Sequence, residues 1–296
     1  MADASGGLNG PARLRSHLES PRIARYPGAF SPLVARQITE LSFEGVYVSG
    51  AALSADLGLP DIGLTTLAEL VDRTRATVRA TSLPVLVDVD TGFGGPTRVA
   101  RTIMEMEDAG AAGCHIEDQV LTKRCGHLDN KELVSTYEMI RKLRAAVQAR
   151  RDPRFVIVAR TDARSGEGLD AAIDRARAYA DAGADALFPD ALTDLAEFAA
   201  FCAAVDRPVI ANMTEFGKSE LLDTCQLESA GVSIVIHPLT ALRLAMGAVR
   251  QGLVGLAQAG HQRAMIDRMQ TRRELYDLID YASYARFDDD VWNFSL

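Results

Sequence analysis

The sequence predicts a closed (β/α)₈ barrel, and three observations lead there. Eight short apolar runs recur along the 296 residues, each followed by a stretch of helical spacing. The runs are near-continuous in apolar residues rather than alternating, the pattern of parallel strands covered on both faces. The polar, chemically capable residues fall at the C-terminal ends of these runs, where such a barrel carries its active site.

The strands are expected at 23–29, 45–49, 84–90, 113–118, 155–162, 186–189, 208–213 and 233–237. Pro27 weakens the first, because proline donates nothing to a ladder. Helices are expected at 32–41, 64–80, 97–109, 138–149, 169–182, 195–204, 218–229 and 239–251. Within 97–109, the residues Val99, Ile103, Met106 and Ala109 share one face at 3–4 spacing. Asp108-Ala109-Gly110-Ala111 and Asp181-Ala182-Gly183-Ala184 repeat one signal, a glycine cap closing a helix before the next strand. The alternative, a doubly wound open sheet, calls for a glycine-rich phosphate turn, and Gly92-Phe93-Gly94-Gly95 departs from GxGxxG. Residues 1–20 are expected to form a flexible segment and 21–296 a single barrel domain. Its helical tail, 252–296, would pack on the barrel or on a neighbouring subunit.

Composition narrows the partners. A net charge of −8 with no basic arm argues against nucleic acid. No apolar run approaches the length that spans a bilayer, and the first ten residues lack the apolar stretch of a signal peptide. The four cysteines are widely spaced, with no CxxC pair, which is neither a disulfide framework nor a zinc signature. A cytoplasmic protein with reduced thiols is expected.

The chemistry starts at Lys123-Arg124-Cys125-Gly126-His127, just after the strand-like Cys114-His115-Ile116-Glu117-Asp118. Cations around a thiol stabilise its thiolate, so Cys125 is placed to exchange a proton near neutral pH. The bland alternative is a solvated basic loop that happens to contain cysteine. Asp88 and Asp90 stand two apart at one strand end, as do His115 and Glu117 at the next, so each pair is expected on one face. Asp61 adds an acid in the loop after the second strand. Any one of these acids alone reads best as a cap or a solvated charge. Carboxylates converging from successive strand ends repel one another unless a cation lies between them. Oxygen ligands without a histidine or cysteine cage suit Mg²⁺, with Mn²⁺ as the alternative. Arg160 ends a strand, and Arg243 and Arg272 follow; arginines in number imply a polycarboxylate ligand, to which Asn212 and Thr214 would add neutral hydrogen bonds. For Arg243 and Arg272 the residues alone favour ordinary exposed helical arginines.

These motifs, with Tyr47-Val48-Ser49-Gly50, Leu59-Pro60-Asp61, Asp88-Val89-Asp90-Thr91-Gly92-Phe93-Gly94, Ala159-Arg160-Thr161-Asp162-Ala163, Asn212-Met213-Thr214-Glu215-Phe216-Gly217 and Met269-Gln270-Thr271-Arg272, resemble the isocitrate lyase/phosphoenolpyruvate mutase superfamily from about residue 22 to residue 284. The Lys-Arg-Cys-Gly-His form resembles its carbon–carbon lyase branch. The resemblance implies a barrel with its final helix exchanged between subunits, usually in a homotetramer, and Mg²⁺ held near Asp61, Asp88, Asp90 and Glu117, partly through water. It implies that Ser49, Gly50, the backbone of Ala51 and Arg160 hold the pyruvate half of the substrate. Gly126, His127, Asn212, Thr214, Arg243 and Arg272 would hold the succinate half. The implied reaction is cleavage of 2-methylisocitrate to pyruvate and succinate in propionate catabolism, with Cys125 protonating the departing carbon; Tyr47, Asp61 and a metal-bound hydroxide are the candidate bases. Alternatives are cleavage of isocitrate or of another 2-alkylmalate, and, from a different class, a non-catalytic binding barrel. Three positions depart from the family pattern: Asp190 where Glu is usual, Ala51 for a second glycine, and His237 for Tyr. The resemblance implies that Asp190 stands near the metal and substrate, with a side chain one methylene shorter.

Overall fold

The structure is a computed structural model that describes residues 9–124 and 131–293. In chain order it runs α1 (Gly10–Leu18), β1 (Ala24–Pro27), α2 (Pro32–Glu40), β2 (Val46–Val48), α3 (Gly50–Asp56), α4 (Leu67–Ala80), β3 (Val85–Asp88), α5 (Pro96–Asp108), β4 (Gly113–Glu117), α6 (Thr136–Ala149) and β5 (Val156–Thr161). There follow α7 (Arg164–Glu167), α8 (Leu169–Asp181), β6 (Ala186–Pro189), α9 (Leu195–Ala204), β7 (Val209–Asn212), α10 (Thr224–Ser229), β8 (Val232–His237), α11 (Thr240–Ala259), α12 (Arg272–Leu278) and α13 (Tyr281–Trp292).

All eight strands pair in parallel in the order β1-β8-β7-β6-β5-β4-β3-β2. The sheet curls until Gly28 bridges Tyr47, with Ala29 N–H donating to the Tyr47 carbonyl at 2.9 Å, which nearly closes the barrel. Gly28 has no substitute at this seam: a Cβ there would lie 2.1 Å from the Pro238 carbonyl oxygen. The eight expected strands are all present, most of them trimmed by a residue or more at one or both ends. The helix expected at 218–229 begins only at Thr224, and the one expected at 239–251 continues to Ala259.

The core forms two layers, as strand alternation requires. Tyr26, Tyr47, Leu86, Val158, Phe188, Ile210, Ile234 and Ile236 fill the barrel. Val48, Val87, Cys114, Ile116, Ile157 and Leu187 face outward against Leu70, Ile103, Met106, Leu143, Tyr179 and Phe198 of the helices.

One expectation is corrected. The N-terminal segment is not flexible throughout: from Gly10 it is the helix α1, capped by Asn9, whose side chain accepts from Ala12 N–H at 3.1 Å. Leu14 and Leu18 are buried with the barrel-interior cluster, and Arg15 donates to the carbonyls of Pro153 and Arg154 and to Asp185. The helix therefore seals the N-terminal mouth, which would otherwise expose the apolar barrel interior. Among the described residues, no helix is long and apolar enough to cross a membrane.

Candidate active site

Strand alternation carries the inward residues upward to the C-terminal mouth. Tyr47 and Ser49, Asp88, His115 and Glu117, Arg160, Asp190, Asn212 and Thr214 all reach it, each at most 9% exposed. A cleft there is lined by Tyr47, Ser49, Ala51, Asp61, Asp88, Lys123, Arg160, Asp190, Asn212 and Thr214, with Pro238 and Leu239 at the rim. His115 and Glu117 share a face of β4 as expected. Asp90 arrives differently: β3 ends at Asp88, and the chain turns through a left-handed Asp90, φ +48°, whose N–H donates to Asp88 Oδ1 at 3.1 Å. A turn that folds back on its own carboxylate, not strand periodicity, sets the second acid beside the first.

One wall of the cleft is acidic. Asp61, Asp88, Asp90 and Glu117 gather around the ammonium of Lys123, which is 4% exposed, pairs with Asp61 and lies 2.8 Å from Asp90 Oδ1. Burial by itself would lower the Lys123 pKa, but Asp90, Glu117 and Asp61 overcome it and hold the ammonium firmly charged. One ammonium does not balance four carboxylates. Burial, reinforced by Asp88, pushes the Asp90 carboxyl up to about 6, and burial raises Glu117 well above its ordinary range. Glu117 Oε1 is buried without a hydrogen-bond partner. Gly50 N–H donates to Asp88 Oδ2 at 3.1 Å, and a Cβ on Gly50 would sit 3.0 Å from Asp90 Oδ1. Such a surplus of buried negative charge fits a divalent cation. Among the described residues, no three acids already stand as ligands around one point. That suits Mg²⁺, which keeps several waters and takes only one or two carboxylates directly.

The opposite wall is a buried arginine clamp. Arg160 Nε and Nη2 fork onto Asp162 at 3.0 and 2.9 Å, and Nη2 also donates to Asp190 Oδ2 at 3.0 Å. The guanidinium lies 5.2 Å from the centre of the Phe188 ring and 3.5 Å from Glu117. Asn212 Nδ2 donates to Asp190 Oδ1 at 3.0 Å, so the short Asp190 side chain reaches both partners. Burial works against ionised Asp162, but Arg160 and Lys131 outweigh it and hold that carboxyl well below the usual range.

Between the walls, Tyr47 OH lies 2.7 Å from His115 Nε2. Burial, aided by Asp88, raises the Tyr47 pKa well above that of a free phenol, and burial lowers His115 to about 4. Both are neutral at neutral pH. Ser49 caps α3, its Oγ accepting from Ala52 N–H at 3.2 Å, which fixes the Ser49–Ala51 backbone at the cleft.

The remaining expected residues are placed less centrally. Arg243 stands in the first turn of α11, 3.6 Å from Glu215 and over the Phe216 ring at 4.9 Å, with its side chain 39% exposed. Arg272 begins the exposed α12 in the tail and does not line the cleft. His237 is half-buried and tucked beside the seam. Cys125, Gly126 and His127 lie outside the described residues. Two contributors escaped the sequence reading. Lys123 reads in the sequence only as part of the cationic surround of Cys125, and Asp162 only as part of the Ala159-Arg160-Thr161-Asp162-Ala163 motif. Their partners lie 62 and 2 residues away, and only the first separation is invisible in sequence.

The phosphoenolpyruvate phosphomutase family model matches residues 14–257. The "Probable 2-methylisocitrate lyase 2" of Corynebacterium glutamicum is 60% identical over 95% of this chain and 92% of its own length. The 2-methylisocitrate lyase of Bacillus subtilis is 46% identical over 94% and 92%. Among solved structures, oxaloacetate acetylhydrolase in complex with 3,3-difluorooxalacetate superposes with a TM-score of 0.91 at 34% identity, covering 97% of this chain and 99% of that one. Phosphonopyruvate hydrolase in complex with oxalate and Mg²⁺ gives 0.87 at 29% identity, covering 95% and 99%.

Proposed function

Because the chain belongs to the phosphoenolpyruvate phosphomutase family, we propose that it is a carbon–carbon lyase that cleaves 2-methylisocitrate to pyruvate and succinate. The observation that carries this reading is the single cleft in which an acid wall faces the Arg160 clamp, in a chain 60% identical to a relative bearing that lyase's name. Mg²⁺ held by Asp61, Asp88, Asp90 and Glu117, partly through water, would supply Lewis-acid stabilisation of the substrate's alkoxide.

The chain's own residues do the rest. Arg160, oriented by Asp162 and Asp190, presents its free edge to a carboxylate on the pyruvate half, and the Ser49–Ala51 backbone meets the same half. Asn212 and Thr214 serve the succinate half, with Arg243 at the rim. Tyr47, whose OH lies 2.7 Å from His115 Nε2, and Asp61 are the side-chain candidates for taking the hydroxyl proton. As the hydroxyl oxygen becomes the pyruvate ketone, the adjacent C–C bond breaks and its electron pair passes to the succinate enediolate. The Cys125 thiol then gives its proton to that carbon. Cys125→Ser is expected to keep fold and metal binding and lose most turnover; unimpaired turnover would remove Cys125 from this role.

The tail supports a second element of the reading, a homotetramer with exchanged C-terminal helices. Helix α11 buries none of its residues within the chain, and Leu244, Leu253, Tyr284, Phe287 and Trp292 are each at least 60% exposed. Apolar surface of that extent is covered in stable proteins, and a second copy, which brings Arg272 with it, is the occupant we assign. Light scattering that returned a monomer would refute the assembly. The described cysteines are unpaired, in keeping with a cytoplasmic setting.

The deciding experiment is a coupled assay with Mg²⁺ that follows pyruvate from 2-methylisocitrate and glyoxylate from isocitrate. Fast pyruvate release with much slower glyoxylate release is expected. Comparable glyoxylate release would replace this reading with isocitrate cleavage, since one methyl group separates the substrates by only about 1–3 kcal/mol in a fitted pocket.

A further inference from the structure

Asp118 follows β4 directly, is completely buried and does not line the cleft. Its carboxylate nevertheless gathers donors from two separate elements. Oδ1 accepts from Asp162 N–H at 2.9 Å, and Oδ2 accepts from Thr161 Oγ1 at 2.9 Å. From the outer helix α8, Tyr179 OH donates to Oδ2 at 2.8 Å and Arg175 Nη1 approaches to 3.4 Å. Asp118 thus ties the end of β5 to β4 and to α8 at the residue whose own side chain grips Arg160.

The charge pattern gives this tie a direction. Asp118 and Asp162 are both carboxylates in a buried region, and like charges at short range repel. The backbone of Asp162 is held by Asp118, while its side chain turns away, toward Arg160 on one oxygen and both Arg160 and Lys131 on the other. Asp118 is itself served by Arg175 from behind, at 3.4 Å, and so does not compete with Asp162 for Arg160.

We propose that Asp118 is a positioning residue for cleavage, which sets the aim of the Arg160 guanidinium through Asp162 without touching substrate. The proposal rests on the lyase reading only in naming what Arg160 holds. In Asp118→Asn the amide N–H₂ replaces one of the two acceptor oxygens, either the one that takes Thr161 Oγ1, Tyr179 OH and Arg175 or the one that takes Asp162 N–H, and the repulsion that orients Asp162 is gone.

The test is a crystal structure of Asp118→Asn, calorimetric pyruvate binding in the presence of Mg²⁺, and kcat and KM measured well below the melting temperature. Displacements near 1 Å at such a site cost up to about a hundredfold. The expected result is an opened Arg160–Asp162 fork, pyruvate affinity weakened about tenfold or more, and kcat/KM lowered by a similar factor through a raised KM. Tyr179→Phe removes one donor only and is expected to move both quantities in the same direction by a smaller factor; it serves as the test if Asp118→Asn does not fold. An intact fork with pyruvate affinity and KM within about twofold of wild type, and only a lower melting temperature, would make Asp118 merely structural and overturn the proposal. If wild type fails to cleave 2-methylisocitrate, the lyase reading falls, while fork geometry and pyruvate affinity still decide the role of Asp118.

Discussion

Replacing Arg160 by lysine isolates what the guanidinium fork contributes, because charge is kept while geometry is lost. Arg160 satisfies Asp162 through two nitrogens and Asp190 through a third contact at 3.0 Å. A lysine ammonium is a single point and cannot span both acids and a substrate carboxylate. One or two charge-assisted hydrogen bonds are lost, each worth about 1.5–3 kcal/mol. At roughly 2–4 °C per kcal/mol for a chain of this size, the melting temperature falls by about 3–24 °C. Losing one such bond to the substrate lowers kcat/KM by about 10–150-fold. Arg160→Met is harsher, leaving Asp162 and Asp190 buried beside a vanished countercharge at a cost of about 3–5 kcal/mol. The assay couples pyruvate release to NADH oxidation, with thermal melts on the same preparations. If Arg160→Lys retains kcat/KM within about threefold of wild type, the fork is not what binds substrate, and the assignment of the pyruvate wall is wrong.

Other expectations follow from the acid wall and the plug. Lys123→Met removes the ammonium that lies among four carboxylates, so the metal-free variant melts well below wild type, and adding Mg²⁺ raises its melting temperature by more than it raises that of wild type; equal increments would show that Lys123 does not balance this cluster. With the folded Asp90 carboxyl raised to about 6, above its unfolded value near 4, its contribution to stability is full below about pH 4 and is lost as pH rises through about 6. Mg²⁺ competes with that proton, so the melting-temperature gain on adding Mg²⁺ is larger at about pH 7.5 than at about pH 5.5; a gain independent of pH would take Asp90 out of the site. Leu14→Ala opens a cavity under the barrel and costs about 2–5 kcal/mol, read by denaturant melts, with kcat little changed because the plug lies at the opposite mouth from the cleft; a cost under about 0.5 kcal/mol would mean that α1 is only loosely seated.

The barrel was readable because each strand is a short apolar run closed by polar residues, a signal carried within a few neighbouring positions. Ser49, Asp88, Glu117, Arg160, Asp190 and Asn212 were readable as site candidates for the same reason: a strand end is a local property, and the fold then collects all such ends at one mouth. The α1 plug was not legible. Its composition is that of many loose N-termini, and its helix is justified by Leu14 and Leu18 meeting a barrel interior built from residues far along the chain. Helix α3 was missed because Ser49, which caps it, reads equally well as the end of a strand.

By itself, then, the sequence determined the order of strands and helices and the residue types at each strand end, since periodicity and capping act over a handful of residues. Pairings across the barrel were decided only by tertiary structure. Lys123 among Asp61, Asp90 and Glu117, Asp190 shared between Arg160 and Asn212, and Asp118 behind Asp162 are contacts between separate βα units. Their energies depend on burial and on distances of about 3 Å, which barrel closure creates and no local pattern records.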